Sequence, residues 1–169
     1  MVYRPPLFWK NNIRDAVADD LRARGMKVER LDGDLVRQGL TRDLGFSKDD
    51  RAMNIERVTF VAKLLTRNGV AVLCTFVSPY NSIRRKSRKE IGEYILVDVK
   101  ATPEVCTERD IKGMWAKAKA GEIKNFTGYD DPYEEPDNAQ ITVDTNKENV
   151  EESKKIVIDW LDKNGYFTQ

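Results

Sequence analysis

Two acids separated by one glycine, Asp32-Gly33-Asp34, follow a short apolar run and are the residues of this chain best suited to chemistry. Asp34 can hold Mg²⁺ or accept a proton from a hydroxyl group. Arg37 and Arg51 follow closely and can clamp phosphate or sulfate oxygens. An isolated triplet of this kind is more often a solvated turn, so its surroundings must decide between a turn and a site.

Two aromatic residues add to this group, because Phe46 and Phe126 can sandwich a planar base. Carboxylates, arginines and base-stacking rings together are the parts of an enzyme that transfers a phosphoryl group on a nucleotide. Each residue alone is more often surface or core. These residues form a site only if the strands and helices of the fold bring them into one crevice.

Composition limits the class of protein. The chain has 169 residues, of which 40% are hydrophobic, and this predicts a single domain over residues 1–169 with a substantial core. The formal charge of +1 indicates neither nucleic acid nor an anionic membrane as a partner. No apolar run reaches the roughly 20 residues that span a bilayer, and the N-terminus lacks the apolar core of a signal peptide. We therefore expect a cytoplasmic protein.

The residue types that are absent or rare narrow the chemistry further. There is no histidine, which excludes histidine triads, histidine metal sites and an imidazole base. Acid–base work must then fall to carboxylates. Cys74 and Cys106 lack the spacing of metal ligands, and we expect both to be reduced structural thiols.

The pattern of apolar residues predicts strands and helices in alternation. Strands are expected at 27–31, 70–77, 94–99 and 140–143, with residues 7–9 as the end of another buried strand. Helices are expected at 13–24, 48–68, 104–109, 114–120 and 148–163, and the basic segment 80–92 as a largely solvated helix face. Residues 122–136 form a polar segment that is too long for an ordinary connection, which is typical of a functional loop such as a lid.

Alternating strands and helices predict an α/β fold, a three-layer sandwich with a central, mostly parallel sheet flanked by helices. The run 70–77 is the most apolar and is expected to be a central strand buried on both faces. Ligands bind beyond the carboxyl ends of the strands in such folds. Asp32, Asp34, Ser78 and Tyr80 all fall at these ends and should open onto one crevice.

The chain resembles the adenylylsulfate kinases in a series of motifs that occur in that family's order. The match extends over nearly the whole chain from Lys10 onward, and it rests on Asp32-Gly33-Asp34-Leu35-Val36-Arg37, Leu44-Gly45-Phe46-Ser47, Phe76-Val77-Ser78-Pro79-Tyr80, Arg109-Asp110-Ile111-Lys112-Gly113 and Asn125-Phe126-Thr127-Gly128. The resemblance implies a P-loop kinase fold. It implies transfer of the γ-phosphate of ATP, with Mg²⁺, to the 3′-hydroxyl of adenosine 5′-phosphosulfate, giving 3′-phosphoadenosine 5′-phosphosulfate in sulfate activation.

The resemblance also implies roles for individual residues. Asp34 would lie nearest the reacting hydroxyl and the metal, with Asp32 supporting it. Ser78 matches a serine that family members can carry in phosphorylated form. The adenylylsulfate side would comprise Arg37, Phe46, Arg51, Asn54, Val77, Pro79, Lys124 and Phe126. The ATP side would comprise Lys10, Asn11, Arg109, Lys112 and Gly113.

One part of the family pattern is missing. A P-loop reads Gly-x-x-x-x-Gly-Lys followed by Ser or Thr, because successive backbone N–H groups surround the phosphates and the hydroxyl binds Mg²⁺. This chain reads Phe8-Trp9-Lys10-Asn11-Asn12 instead. Either the natural protein lacks the glycine loop, or the loop is absent only from this sequence, and the residues do not choose between the two. Lys10 stands 22 positions before Asp32 (32 − 10), which agrees with the family's interval, so Asn11 falls where the magnesium-binding hydroxyl belongs.

Two other functions stay open at this point. The chain can be a catalytically inactive relative that binds adenylylsulfate as a regulatory or binding subunit, or another P-loop kinase of nucleosides or nucleotides. The resemblance further implies a homodimer, and it leaves association with an ATP sulfurylase open. ATP and adenosine 5′-phosphosulfate are the expected small-molecule partners.

Overall fold

The structure is a computed structural model that describes residues 7–110, 113–123, 126–127, 129–130 and 132–167. The predictions for Lys112 and Lys124 lie outside these residues. Helices and strands alternate along most of the described chain, in the order α1 Leu7–Ala23, β1 Lys27–Asp32, α2 Gly33–Gln38, α3 Lys48–Thr66, β2 Val70–Thr75, α4 Asn81–Ile91, β3 Val97–Lys100, α5 Pro103–Glu108, α6 Met114–Lys119, β4 Ile141–Asp144 and α7 Val150–Lys163.

All strand pairs that the structure describes are parallel. β1 pairs with β2 from Lys27 opposite Val70 to Asp32 opposite Thr75. β3 pairs with β4 from Val97 opposite Ile141 onward. Because parallel neighbours end at the same edge, Asp32 and Thr75 lie side by side at the carboxyl edge. The predicted α/β fold with a parallel sheet is confirmed.

Helices cover both faces of the strands. Ala71 and Leu73 of β2 pack toward a cluster built from α1, α7 and β4, whose buried members include Val17 and Val157. Val72 lies between them in sequence and packs toward a second cluster that contains Val58 of α3. Since successive strand residues point to opposite faces, this alternation places helices on both sides, as in a three-layer sandwich.

The two strand pairs do not join into one sheet among the described residues, and a cavity of about 330 Å³ lies between β2 and β3. Both strands line it, with residues 72–75 and 97–99. The expectation that 70–77 forms a central strand buried on both faces was therefore wrong in part. The strand ends at Thr75 and its residues are mostly half-buried, because one of its edges borders the cavity. Cys74 is exposed to this cavity, and desolvation raises the pKa of its thiol to about 12.

The first helix corrects another expectation. Residues 7–9 begin α1 and are not a strand end. The preceding Pro5-Pro6 does not prevent this, since proline is tolerated before and in the first turn of a helix, where the N–H groups have no intrahelical acceptor. The helix ends as predicted near Gly25, whose φ of 84° is the left-handed conformation favoured by glycine at this position.

The buried face of α1 explains why it is held in place. Ile13, Val17 and Leu21 recur every four residues and pack against Val157 and Ile158 of α7. In the part of the chain that the structure describes, none of the helices combines the length and apolarity needed to cross a membrane.

Candidate active site

Asp32 lies at the junction of β1 and α2 and is held on both carboxylate oxygens. Oδ1 accepts hydrogen bonds from the backbone N–H groups of Asp34 and Leu35, both at 2.9 Å, so Asp32 caps α2. Oδ2 accepts from Arg14 Nη1 at 2.7 Å. Burial by itself raises the pKa of Asp32, but these hydrogen bonds outweigh it and hold the pKa below its ordinary value. Asp32 is therefore an ionised, fixed support, whereas Asp34 is exposed on the first turn of α2.

Helix α1 presents two cations to the carboxyl end of β2. Lys10 and Arg14 are four residues apart and so share one helix face. Lys10 Nζ donates to the carbonyl of Thr75 at 3.4 Å, and Arg14 Nη1 donates to Thr75 Oγ1 at 3.2 Å. Both side chains are largely buried. The predicted lysine therefore does lie at the carboxyl edge of the sheet, next to the strand ends.

The segment between α2 and α3 is shaped by Arg37. Its two Nη atoms donate to the carbonyls of Leu44 and Gly45, at 2.9 and 3.1 Å. Its guanidinium also stacks on the ring of Phe46, 4.1 Å from the centroid. Phe46 remains 68% exposed, so one face of this ring is open to a ligand.

Helix α3 carries Arg51 and Asn54 near its start, after a capping box formed by Ser47 and Asp50. Arg51 Nη1 donates to Thr127 Oγ1 at 2.5 Å, which joins α3 to the loop that contains Phe126. Asn54 is buried, and its Oδ1 has no hydrogen-bond partner among the described residues. Buried amide oxygens are normally paired, so this atom is available to a ligand or a water molecule.

Phe126 is placed differently from Phe46. It is buried against Trp115 with the rings edge to face, 5.4 Å between centroids, in a cluster with Cys106 and Ala118. The predicted sandwich of a base between Phe46 and Phe126 stays a prediction. In such a sandwich the base would contact the exposed face of Phe46 on one side and only the edge of the largely buried Phe126 ring on the other.

The turn after β2 contains Ser78 and Pro79, and both are partly or fully enclosed. The Oγ of Ser78 is buried and has no partner within the described part of the chain. Pro79 accepts a hydrogen bond on its carbonyl from the N–H of Glu134 at 2.8 Å. Val77 and Ser78 line the cavity together with Lys10, so these three predicted site residues share one space.

The predicted ATP side is described only in part. Arg109 stacks its guanidinium on Trp9, 4.1 Å from the ring centroid, and Nη2 donates to the carbonyl of Thr145 at 3.1 Å. This brings Arg109 next to the first turn of α1, one residue from Lys10. Gly113 has a φ of 62° where α6 begins, a backbone conformation that glycine adopts readily.

The donors available to Mg²⁺ fit a site completed by substrate phosphates. No group of three or more acidic, cysteine or histidine residues that could hold a metal occurs in the described ranges. Mg²⁺, however, is commonly bound through one or two carboxylates plus phosphate oxygens. Asp34 offers an exposed carboxylate, and Asn11 has a buried Oδ1 that no described residue pairs. This donor set suits a hard cation held mainly by a nucleotide.

Two arginines of the site were missed in the sequence. Arg14 fixes Asp32, and Arg84 binds the carbonyl of Ser78 and that of Glu134. Arg14 could have been found from its spacing of four residues from Lys10. Arg84 stands in a basic run expected to be mostly solvated, and nothing in the run distinguishes it from the other arginines and lysines.

Comparisons with known proteins identify the family of the chain. The family model for adenylylsulphate kinase matches residues 9–144. An adenylyl-sulfate kinase of Halothermothrix orenii is 54% identical over 157 residues, which cover 93% of this chain and 85% of the relative. A probable adenylyl-sulfate kinase of Pseudomonas aeruginosa is 58% identical over 149 residues, covering 88% and 70%.

A solved structure gives the same result. The Mycobacterium tuberculosis APS kinase CysC, in complex with AMPPNP and APS, superposes with a TM-score of 0.85 at 36% identity and with 95% of each chain covered. The chain belongs to the adenylylsulphate kinase family.

Proposed function

We propose that this protein is an adenylylsulfate kinase, which transfers the γ-phosphate of ATP to the 3′-hydroxyl of adenosine 5′-phosphosulfate. The observation that carries the proposal is the arrangement at the carboxyl edge of β1 and β2. There Asp32 is fixed by Arg14, Asp34 is exposed beside it, and Lys10 reaches the end of the neighbouring strand. Family membership supplies the reaction, and the related CysC structure was determined with APS and an ATP analogue.

In this proposal the carboxylates act on the hydroxyl that is phosphorylated. Asp34 accepts the proton of the 3′-hydroxyl as the hydroxyl oxygen bonds to the γ-phosphorus of ATP and ADP leaves. Asp34 would also be the carboxylate that holds Mg²⁺, which would neutralise charge on the transferred phosphoryl group. Asp32 does not move, because both of its oxygens are already hydrogen-bonded. It sets the position of Asp34 by capping the helix on which Asp34 stands.

The remaining residues hold the two substrates. Arg37, Arg51 and Asn54 bind the phosphosulfate group, and Phe46 and Phe126 contact the adenine, with Lys124 alongside. Val77, Ser78 and Pro79 form a wall of the pocket. Arg109, Lys112 and Gly113 close over the adenine of ATP, and Lys10 and Asn11 face its phosphates and the metal.

The phosphates of ATP are held differently in this protein from those in a P-loop. Without a glycine-rich loop, the phosphates must be held by Lys10, Asn11 and the N–H groups at the start of α1. A helix N-terminus does favour anions, because its first N–H groups have no intrahelical acceptor. We therefore expect ATP to bind more weakly than adenylylsulfate.

The decisive experiment measures binding and turnover separately. Isothermal titration calorimetry with adenylylsulfate, and then with ATP and Mg²⁺, gives the two affinities, and an assay for the phosphorylated product gives turnover. Product formation supports the proposal. Binding of adenylylsulfate without turnover would identify a non-catalytic binding relative, and preferential phosphorylation of a plain nucleotide would identify a different kinase.

We also propose that the protein is a cytoplasmic homodimer. Large apolar side chains are exposed on α2 and α3, including Leu35, Met53 and Phe60, and such residues are frequent at interfaces between copies of a chain. Light scattering coupled to size-exclusion chromatography tests this state against a monomer. Association with an ATP sulfurylase would appear in the same experiment as a larger complex when the two proteins are mixed.

A further inference from the structure

Arg84 is a cation buried inside the protein, with 3% of its surface exposed. It stands on the first turn of α4, directly after the turn that contains Ser78 and Pro79. A buried charge is costly unless it is fully hydrogen-bonded, so the partners of this guanidinium indicate what the residue is for.

The guanidinium of Arg84 binds two other segments of the chain and one residue of its own helix. Nη1 donates to the carbonyl of Ser78 in a short hydrogen bond, and Nη2 donates to the carbonyl of Glu134 at 2.6 Å. Nε and Nη2 both donate to Asn81 Oδ1, at 3.2 and 2.6 Å. The ring of Tyr133 lies 5.5 Å from the guanidinium carbon. Two of the acceptors are backbone carbonyls, so Arg84 sets the course of the main chain.

The segments that Arg84 connects are two sides of the proposed adenylylsulfate site. Ser78 belongs to the turn after β2, and Glu134 belongs to the long loop that follows Phe126 and Thr127. Additional bonds run in parallel, since Asn81 N–H donates to Glu134 Oε2 at 2.6 Å and Asn81 Nδ2 donates to the carbonyl of Glu135 at 2.8 Å. The loop is therefore docked onto the start of α4, with Arg84 beneath it.

Only an arginine can make this set of contacts. A guanidinium is planar and carries five N–H donors in fixed directions, whereas a lysine ammonium is a single point with three rotatable donors. Lysine at this position would keep the charge and reach one carbonyl, but it would not bridge Ser78 and Glu134 together.

We propose that Arg84 is a positioning residue, which sets the Ser78–Pro79 turn and the loop after Phe126 at the separation that adenylylsulfate binding requires. The inference rests on the proposed function. It adds a residue that does not contact the substrate and acts through two backbone carbonyls.

The test compares Arg84→Lys with Arg84→Ala, and uses Arg85→Ala as a matched control. Arg85 is the next residue of α4, is exposed, and pairs with Asp137 at the surface. We expect Arg84→Lys to weaken adenylylsulfate binding about tenfold in calorimetry, because binding must then order two segments that the unmodified protein holds in place. The KM for adenylylsulfate rises accordingly, while the KM for ATP stays unchanged. Arg84→Ala has a larger effect in the same direction, and Arg85→Ala binds as the unmodified protein does.

The outcomes separate this inference from the proposed function. If the unmodified protein does not bind adenylylsulfate, the proposed function fails. If it binds and Arg84→Lys binds equally well, the positioning role is overturned while the function stands. A parallel loss of affinity for both substrates together with a lower melting temperature would show a general stabilising role and would also overturn the inference. Should Arg84→Ala not fold, Arg84→Lys decides the matter alone, because it keeps the buried charge.

Discussion

Arg14 Nη1 lies 2.7 Å from Asp32 Oδ2 and 3.2 Å from Thr75 Oγ1, so one nitrogen of α1 joins the ends of both strands of the first pair. The Arg14 side chain is 8% exposed and that of Asp32 19%. The ion pair is therefore well shielded from water, and salt screens it weakly. Because Asp32 also caps α2, a change at Arg14 should reach the helix that carries Asp34.

Replacing Arg14 by Met tests this connection. The variant keeps most of the side-chain volume but leaves the Asp32 carboxylate without its cation. We expect the free energy of unfolding to fall by about 3 kcal/mol, because breaking a buried pair by removing one partner strands the other charge. Urea denaturation measures it. Arg22→Ala on the same helix removes an exposed pair with Asp19 and should cost about 0.5 kcal/mol or less. Equal losses in the two variants would contradict a special role for Arg14.

Asp34→Asn tests the proposed catalytic carboxylate. The amide cannot accept the proton of the 3′-hydroxyl and binds Mg²⁺ less well, so kcat should fall by at least about 100-fold. Asp34 is exposed, so the melting temperature should barely change, and calorimetry should show adenylylsulfate bound as before. Unchanged turnover in this variant would remove Asp34 from the reacting centre.

Phe46→Ala separates base stacking from folding. Phe46 is exposed and held from one side by Arg37, so the substitution leaves the core intact. We expect adenylylsulfate binding to weaken by about 1–3 kcal/mol, the usual contribution of a ring stacked on a base. Tyr166→Ala is the control, because it removes another exposed aromatic ring, from the segment after α7. If the two variants bind adenylylsulfate equally, Phe46 does not contact the adenine. Phe126→Ala is a poorer test, since this ring is also part of a buried cluster.

The strand ends and the parallel arrangement could be predicted from the sequence because they depend on local patterns. Apolar runs stop at Asp32 and near Thr75, and a helical pattern follows each of them, which is enough to place the acids at the carboxyl edge. The start of α1 could not be predicted in this way. Three apolar residues at 7–9 suit a buried strand as well as a helix, and only the packing of Ile13 and Val17 on α7 decides.

The two missed arginines show a different limit. Arg14 contacts an acid 18 residues away, and Arg84 contacts a carbonyl 50 residues away. The spacing of Arg14 from Lys10 places it on the same helix face but does not name Asp32 as its partner. The residues around Arg84 give no sign of its buried contacts, and an arginine on a helix is usually exposed. The local pattern of 70–77 also does not predict the gap between β2 and β3. Strand propensity indicates that a segment is extended, but not how many neighbouring strands pair with it.

Asp98 on β3 is a buried acid in a long ion pair. It is 6% exposed, and Lys100 Nζ lies 3.9 Å away. Burial raises the pKa of Asp98, and the nearby Glu135 adds to this, while Lys100 and Arg84 oppose it. The residue lines the cavity between the two strand pairs.

Because of this arrangement, ionisation of Asp98 should lower the stability of the folded protein, and the effect should depend on pH. In the unfolded chain the carboxyl ionises with an ordinary pKa of 3.8, whereas the folded protein favours the protonated form to a higher pH. The protein therefore loses stability as the pH rises through the raised pKa, and no cost exists well below 3.8. Asp98→Asn removes the ionisation and should raise the melting temperature at pH 7. The advantage should shrink to nothing as the pH approaches 3, measured by thermal unfolding across this range. An advantage that is the same at every pH would show that the amide stabilises the strand for a reason other than charge.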